Sequence, residues 1–177
     1  ALDMMLAAIE RAGLRPGDDV LIAIDVAATA LHAANGHYQL AREGRELDSA
    51  AMIAMMSGWV DNYPVVSIED GLDEEDWAGW QAMTQQLKDR LQIVGDDLFA
   101  TNRARIENGI ACKVGNGVLV KVNQNGTLSG TLDVIALAKA NGYAPIVSAR
   151  SGETEDPFIA DLAVGSSAGQ IKIGSLR

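Results

Sequence analysis

Residues 91–121 read LQIVGDDLFATNRARIENGIACKVGNGVLVK, and this stretch decides the fold. Two short and almost continuously apolar runs, residues 91–94 and 118–120, flank an amphipathic segment at residues 103–112. Runs without alternation of polar and apolar residues are typical of strands buried on both faces of a parallel sheet. The stretch therefore predicts a strand, a helix and a second strand parallel to the first.

The same unit recurs along the chain. Further apolar runs occupy residues 20–24, 65–68, 146–147 and 170–173, and further helices are predicted at residues 49–60, 74–87, 130–140 and 158–164. Thr101 and Ser129 are predicted N-caps of the helices that follow them. Repeated strand and helix units predict an α/β fold, either an open doubly wound sheet or a (β/α)8 barrel.

Ionisable residues at the strand ends separate these two architectures. They are Asp25, Glu69, Asp96, Lys121, Arg150 and Lys172, one at or near the end of each of the six runs. An open sheet concentrates its site at one glycine-rich turn, whereas a barrel collects single residues from many strand ends. The pattern favours the (β/α)8 barrel.

The length conflicts with a closed barrel. Eight strand and helix units take about 250 residues, whereas this chain has 177 residues and six strand units. Six strands would leave two edges with unpaired backbone groups. We therefore expect residues 1–177 to form part of a barrel whose remaining strands lie in a longer chain or in another polypeptide.

Composition excludes several classes of protein. The chain carries 14 Lys and Arg against 24 Asp and Glu, a net charge of −10, without a basic cluster for nucleic acid or anionic lipid. Its apolar runs are too short to span a bilayer. A single cysteine, Cys112, allows no internal disulfide and predicts a reducing, cytoplasmic location.

The strand-end carboxylates predict a cation site. A barrel would bring Asp25, Glu69 and Asp96 to one mouth, where their mutual repulsion favours a bound divalent cation, and oxygen ligands favour Mg²⁺, Mn²⁺ or Ca²⁺ over Zn²⁺. The alternative is that each carboxylate caps a helix or pairs with an arginine. Asp70 and Asp97 adjoin two of the candidates, and the sequence leaves open which member of each pair points inward.

The strand-end cations predict chemistry of their own. Desolvation at the ends of apolar strands would lower the pKa of Lys121 and Lys172 and make either a general base, the alternative being an ion pair with a carboxylate. Arg150 offers a planar fork for phosphate or carboxylate, with Ser151 as a further donor, unless it is a surface charge. The acidic run at residues 73–76 is interpreted as a solvated helix start.

Several segments resemble the enolase family, and they occur in family order. They are VSIEDGLDE at residues 66–74, VGDDL at 94–98, VKVNQ at 120–124 with GTL at 126–128, SGETED at 151–156 and GQIK at 169–172. The resemblance covers nearly the whole chain but only part of the family pattern. It implies the C-terminal barrel domain, without its first strands and without the N-terminal capping domain.

The resemblance implies a Mg²⁺-dependent lyase that converts 2-phosphoglycerate into phosphoenolpyruvate in glycolysis, and a homodimeric intact protein. It implies that Asp25, Glu69 and Asp96 hold Mg²⁺, with the latter two also at the substrate. Lys121 would remove the α-proton. Enzymes of this superfamily pair a Lys or His base with Mg²⁺, which stabilises the charge that builds up on the substrate.

The phosphorylated acid would be held by three more residues. The resemblance implies that Lys172 contacts the substrate carboxylate and that Arg150 and Ser151 bind its phosphate. Ala149 stands where the family carries a histidine, which raises two alternatives: an enolase paralogue for a related phospho- or phosphono-carboxylic acid, or a non-catalytic barrel. Residues 1–177 alone are not expected to be active, because other catalytic groups would lie outside them.

Overall fold

The computed structural model describes residues 1–152 and 154–174, so Glu153 of the SGETED segment lies outside the described residues. The strands are β1 (Ile22–Asp25), β2 (Tyr38–Leu40), β3 (Arg45–Leu47), β4 (Val65–Glu69), β5 (Gln92–Gly95), β6 (Gly117–Val120), β7 (Ala144–Ser148) and β8 (Gln170–Lys172). The α-helices are α1 (Leu2–Arg11), α2 (Ser49–Asn62), α3 (Trp77–Leu87), α4 (Arg103–Cys112), α5 (Val122–Asn125), α6 (Leu128–Ala140) and α7 (Phe158–Gly165).

All six predicted strands form one parallel sheet. Its order is β1-β4-β5-β6-β7-β8, so the strands follow one another in the sheet as they do in the chain. Strands β2 and β3 form a separate antiparallel hairpin between β1 and α2. The parallel α/β prediction is confirmed.

The sheet is strongly curved, because side chains at its two edge strands meet. Lys172 on β8 places its Nζ 3.1 Å from Oδ2 of Asp25 on β1. Six strands about 4.8 Å apart would hold the edges of a flat sheet about 24 Å apart. Contact between β8 and β1 therefore requires the curvature of a barrel, with six strands in the described part of the chain.

Both faces of the sheet are buried at its central strands β5, β6 and β7. The larger core, which includes Val118 and Val120, packs against the helices. A second, smaller cluster of Val94, Leu119 and Ile146 lies on the inner face. Because strand side chains alternate between faces, residues two positions further along share that inner face.

Two helix starts differ from the prediction. Asn102, not Thr101, caps α4, since its Oδ1 accepts the backbone N–H groups of Ala104 and Arg105. Thr127, not Ser129, caps α6 by accepting the N–H of Gly130. Thr101 has φ +48°, which is unlike the extended backbone of a typical N-cap.

The acidic run at residues 73–76 is not simply a solvated helix start, so that interpretation was wrong. Helix α3 begins at Trp77, and Asp76 is its cap. Asp73 is only 9% exposed, and its Oδ2 lies 3.3 Å from Nδ1 of His32. Two of the four carboxylates therefore hold the loop in place rather than face solvent.

Within the described ranges, no helix has the length and apolarity needed to cross a membrane.

Candidate active site at the carboxyl ends of the strands

The predicted site residues meet in one cleft at the carboxyl ends of the parallel strands. Its volume is about 350 Å³, and its lining includes Asp25, Asp96, Lys121, Arg150, Ser151 and Lys172. Glu69, whose carboxylate hydrogen bonds to Lys172, adjoins this cleft. Asp96 and Lys121 point into it because each follows an inward-facing residue, Val94 or Leu119, by two positions.

Asp25 and Glu69 are held together by one ammonium group. They are register partners on β1 and β4. Nζ of Lys172 lies 3.1 Å from Asp25 Oδ2 and 2.6 Å from Glu69 Oε1. One cation therefore already bridges two of the three predicted metal ligands.

The pKa values of Glu69 and Lys172 are both shifted in this cluster. Burial raises the pKa of Glu69 to about 7, against the opposing hydrogen bond from Lys172 and with the help of the neighbouring charges of Asp25 and Asp96. Burial acts to lower the pKa of Lys172, but the hydrogen bonds and charges of Glu69 and Asp25 outweigh it and raise that pKa. The predicted lowering of the Lys172 pKa is therefore wrong in this state, and the alternative, an ion pair, is what the structure contains.

Lys121 and Asp96 form the second ion pair of the cleft. Nζ of Lys121 donates to Oδ2 of Asp96. The other carboxylate oxygen, Oδ1, accepts the side-chain amide of Gln124 at 3.2 Å. Both side chains are largely shielded, with 13% of Lys121 and 10% of Asp96 exposed.

Asp70 supports the cleft from behind. Its Oδ1 and Oδ2 accept the backbone N–H groups of Asp96 and Asp97 at 2.9 and 2.8 Å, and burial raises its pKa to about 7. In the described part of the chain, Asp70, Asp96 and Asp97 are the three carboxylates whose oxygens approach within 4.8 Å of one another. Since both oxygens of Asp70 are engaged by backbone, we interpret it as a support for the turn that carries Asp96.

Thr101 and Gln124 are parts of this site that the sequence did not reveal as such. Thr101 is fully buried, and its hydroxyl connects the backbone of Lys121 to the side chain of Gln124. Gln124 falls in the quoted VKVNQ segment, which is the one signal that marks it. Thr101 and Gln124 are uncharged polar residues. The sequence alone therefore does not distinguish them from the polar residues of an ordinary loop.

The loop after β7 forms part of the wall of the cleft. Arg150 and Ser151 are exposed and line the cleft beside Ala149. The backbone N–H of Ala149 donates to the carbonyl of Lys172 at 3.0 Å, which ties this loop to β8. Ala149 also borders an adjoining cavity of about 690 Å³ that extends toward Asp156.

The residues present fit a bound divalent cation. Three carboxylates supply hard oxygen donors of the kind that Mg²⁺ prefers. The ammonium groups of Lys172 and Lys121 occupy positions against these oxygens, so the site attracts positive charge in this structure. Among the described residues, however, the oxygens of Asp25, Glu69 and Asp96 do not all lie within 4.8 Å of one another. These three carboxylates would have to move closer together, and the lysines would have to leave, before they shared one ion.

A parallel barrel sheet with acidic and basic side chains gathered at its carboxyl end has the architecture of a TIM-barrel domain, whose active site lies on that face. The family model for the enolase C-terminal TIM barrel domain matches residues 1–177, so the chain belongs to the enolase family. Enolase of Natranaerobius thermophilus is 50% identical over 175 residues, which is 99% of this chain and 41% of that protein. The chain thus spans about two fifths of the length of this relative.

Proposed function

We propose that this chain carries one face of the active site of a Mg²⁺-dependent enolase-type lyase. The reaction is the reversible dehydration of 2-phosphoglycerate to phosphoenolpyruvate. The observation that carries the proposal is the single cleft in which three carboxylates, two lysines and the Arg150 loop meet. Membership in the enolase family supports it.

Asp25, Glu69 and Asp96 would hold the Mg²⁺ in this proposal. The ion would supply positive charge that stabilises the negative charge developing on the substrate carboxylate. Lys172 would then leave the two carboxylates that it bridges and contact the substrate carboxylate instead. Its 42% exposed side chain has room for this movement.

Lys121 is proposed as the base that removes the α-proton. Its Nζ reaches the cleft on the inner face of the sheet, but the ion pair with Asp96 engages it. Base action therefore requires that this contact be released and that Nζ first give up one proton, so that the neutral amine can accept the proton from carbon. The proton passes from carbon to Nζ, the electron pair of that bond forms the double bond, and hydroxide leaves the adjacent carbon. We expect the group that protonates the leaving hydroxide to lie in the rest of the native protein.

Arg150 and Ser151 are proposed as phosphate ligands. The guanidinium is suited to two parallel hydrogen bonds with phosphate oxygens. Both residues line the same cleft as Lys121 and belong to the loop that Ala149 ties to β8. The resemblance also implies a homodimer and a cytoplasmic location, and both belong to the same proposal. Light scattering of the native protein would test the dimer.

The formation of phosphoenolpyruvate by the native protein in Mg²⁺ buffer tests the function. We expect Lys121→Met to lower kcat by about 10²- to 10⁴-fold, the range for loss of a general base. Lys139→Met is the matched control, because Nζ of Lys139 donates to the backbone carbonyls of Ser166 and Ser167. Equal rates for wild type and Lys121→Met would contradict the assigned role of Lys121.

A second candidate function keeps the fold and changes the acid. Ala149 lies between the cleft and the adjoining cavity of about 690 Å³. A larger phospho- or phosphono-carboxylic acid could extend past this small side chain. Ala149→His would test it: a gain of activity on 2-phosphoglycerate supports the second candidate, whereas no gain argues against it.

A further inference from the structure

Thr101 has a conformation that its residue type disfavours. It lies between β5 and α4 with φ +48°, directly after Ala100 with φ +44°, and it is fully buried. A positive φ at a β-branched residue is a rare, strained conformation. Such strain persists where the surroundings fix the residue, and it concentrates at functional sites.

The hydroxyl of Thr101 has two partners on the segment after β6. It accepts the backbone N–H of Lys121 at 2.9 Å. It lies 2.7 Å from Oε1 of Gln124, to which it donates, and 3.5 Å from the carbonyl of Leu119. A hydroxyl has one hydrogen to give, so the shorter contact defines the orientation of the Gln124 amide.

The orientation of the Gln124 amide determines how it contacts Asp96 in the cleft. With Oε1 engaged by Thr101, the amide Nε2 of Gln124 faces Oδ1 of Asp96 at 3.2 Å. The remaining oxygen of Asp96, Oδ2, is then the one that meets Lys121 in the cleft. Thr101 and Gln124 thereby close a ring of hydrogen bonds that contains the proposed base and one proposed metal ligand.

We propose that Gln124, held by Thr101, is a positioning residue for Asp96. It fixes the rotation of the carboxylate, so that Oδ2 faces the cleft, while the Thr101 hydroxyl fixes the backbone of Lys121. This inference rests on the proposed function, because it concerns how that site is held. Partners that hydrogen bond to metal-binding carboxylates typically change metal affinity or activity 10- to 100-fold when they are removed.

Calorimetric titration of the native protein with Mg²⁺ tests the role of Gln124. We expect Gln124→Leu to weaken Mg²⁺ binding by about tenfold or more, and to lower kcat while KM changes less. Gln81→Leu is the matched control, because the amide of Gln81 donates to the carbonyl of Cys112 on an exposed helix surface. Its Mg²⁺ affinity and kcat should equal those of wild type.

Two substitutions of Thr101 separate positioning from folding. Thr101→Ser keeps the hydroxyl and should retain Mg²⁺ affinity, whereas the nearly isosteric Thr101→Val removes it and should lose about tenfold. Equal behaviour of these two variants, or wild-type affinity in Gln124→Leu, would overturn the positioning role alone. If wild type itself neither binds Mg²⁺ nor forms phosphoenolpyruvate, the proposed function fails and this inference with it.

Discussion

At the scale of residues, lysines neutralise the acidic cleft. Lys172 bridges Asp25 and Glu69, and Lys121 pairs with Asp96. The strand-end pattern predicted which side chains would converge, because parallel strands end at one edge and alternate side chains share a face. It offered an ion pair with a carboxylate only as an alternative and named no partner. The Lys172 contacts depend on the curvature that brings β8 to β1, whereas Lys121 and Asp96 follow the adjacent strands β6 and β5.

Removal of Lys172 should destabilise the ion-free protein. Lys172→Met leaves Glu69, 7% exposed, beside the charge of Asp25 without a counter-charge. A fully buried pair would lose about 3–5 kcal/mol, but the side chain of Lys172 is 42% exposed, so we expect about 1–2 kcal/mol. Urea denaturation without Mg²⁺ measures it, with Lys139→Met as the control.

The loss in Lys172→Met should depend on pH. The pKa of Glu69 in the folded protein, about 7, exceeds its ordinary value of 4.5, so the folded state binds the proton more tightly and gains stability as pH falls from 7 toward 4.5. Without Lys172 this carboxyl should take up its proton at still higher pH. The loss should therefore be smaller at pH 5.5 than at pH 8, and equal losses would contradict this interpretation.

At the scale of elements, Phe99 fixes the distance between β5 and α4. A Cβ added at Gly95 would lie 2.5 Å from Phe99 Cδ2, and one added at Gly109 would lie 2.5 Å from Phe99 Cε1. Both glycines are thus required by close approach of the ring. The helix pattern predicted α4, but a glycine inside a helix does not show by itself which ring packs on it.

Gly109→Ala and Gly58→Ala should shift stability in opposite directions. Both glycines lie inside helices, where alanine is favoured by about 0.8–1 kcal/mol. At Gly58 a Cβ meets nothing within 4 Å, so that substitution should stabilise. At Gly109 the clash with Phe99 should outweigh the gain and cost about 1–3 kcal/mol. Thermal unfolding of both variants checks this, and a stabilised Gly109→Ala would contradict the packing described.

Tyr143 joins β7 to the turn that follows α4. Its hydroxyl donates to the carbonyl of Val114 at 2.8 Å and lies 3.3 Å from the carbonyl of Gly109. Burial, with a smaller contribution from the charge of Cys112, raises the pKa of Tyr143 to about 12. The folded state therefore retains a proton that the unfolded chain loses near pH 10.

Stability should consequently fall between pH 10 and 12. The loss attributable to Tyr143 is about 2 kcal/mol, at about 1.4 kcal/mol for each pH unit. Tyr143→Phe has no phenol to titrate, so its stability should fall less steeply over the same range. Urea denaturation at pH 9, 10 and 11 measures both slopes. Parallel slopes would show that the phenol titrates alike in both states.

At the scale of the whole molecule, the sequence predicted the six strands, their parallel sheet and a barrel fold. The two helix caps were misplaced by one or two residues, because Asn102 and Thr127 offer side chains as suitable as those of Thr101 and Ser129. Thr101, Gln124 and Asp70 were missed as supports, since their hydrogen bonds to one another, to Asp96 and to Lys121 join residues 20 to 28 positions apart. Such contacts leave no local pattern.

Strands β1 and β8 are the edges of the sheet among the described residues. A closed barrel of this type has eight strands, so we expect two more strands to pair with these edges in the native protein, together with the capping domain implied by the resemblance. An intact mass well above 18.7 kDa is the expected result. A native mass equal to 18.7 kDa would contradict it, unless a second polypeptide co-purifies.

Thermal unfolding of the native protein with and without Mg²⁺ tests the central claim most directly. A ligand that binds only the folded state stabilises it by about 2.7 kcal/mol at 100 times its Kd, which raises Tm by several degrees. We predict this rise in wild type and a much smaller one in Asp96→Asn, which removes the charge of a proposed ligand. Identical melts with and without millimolar Mg²⁺ would contradict the metal site and favour the non-catalytic barrel.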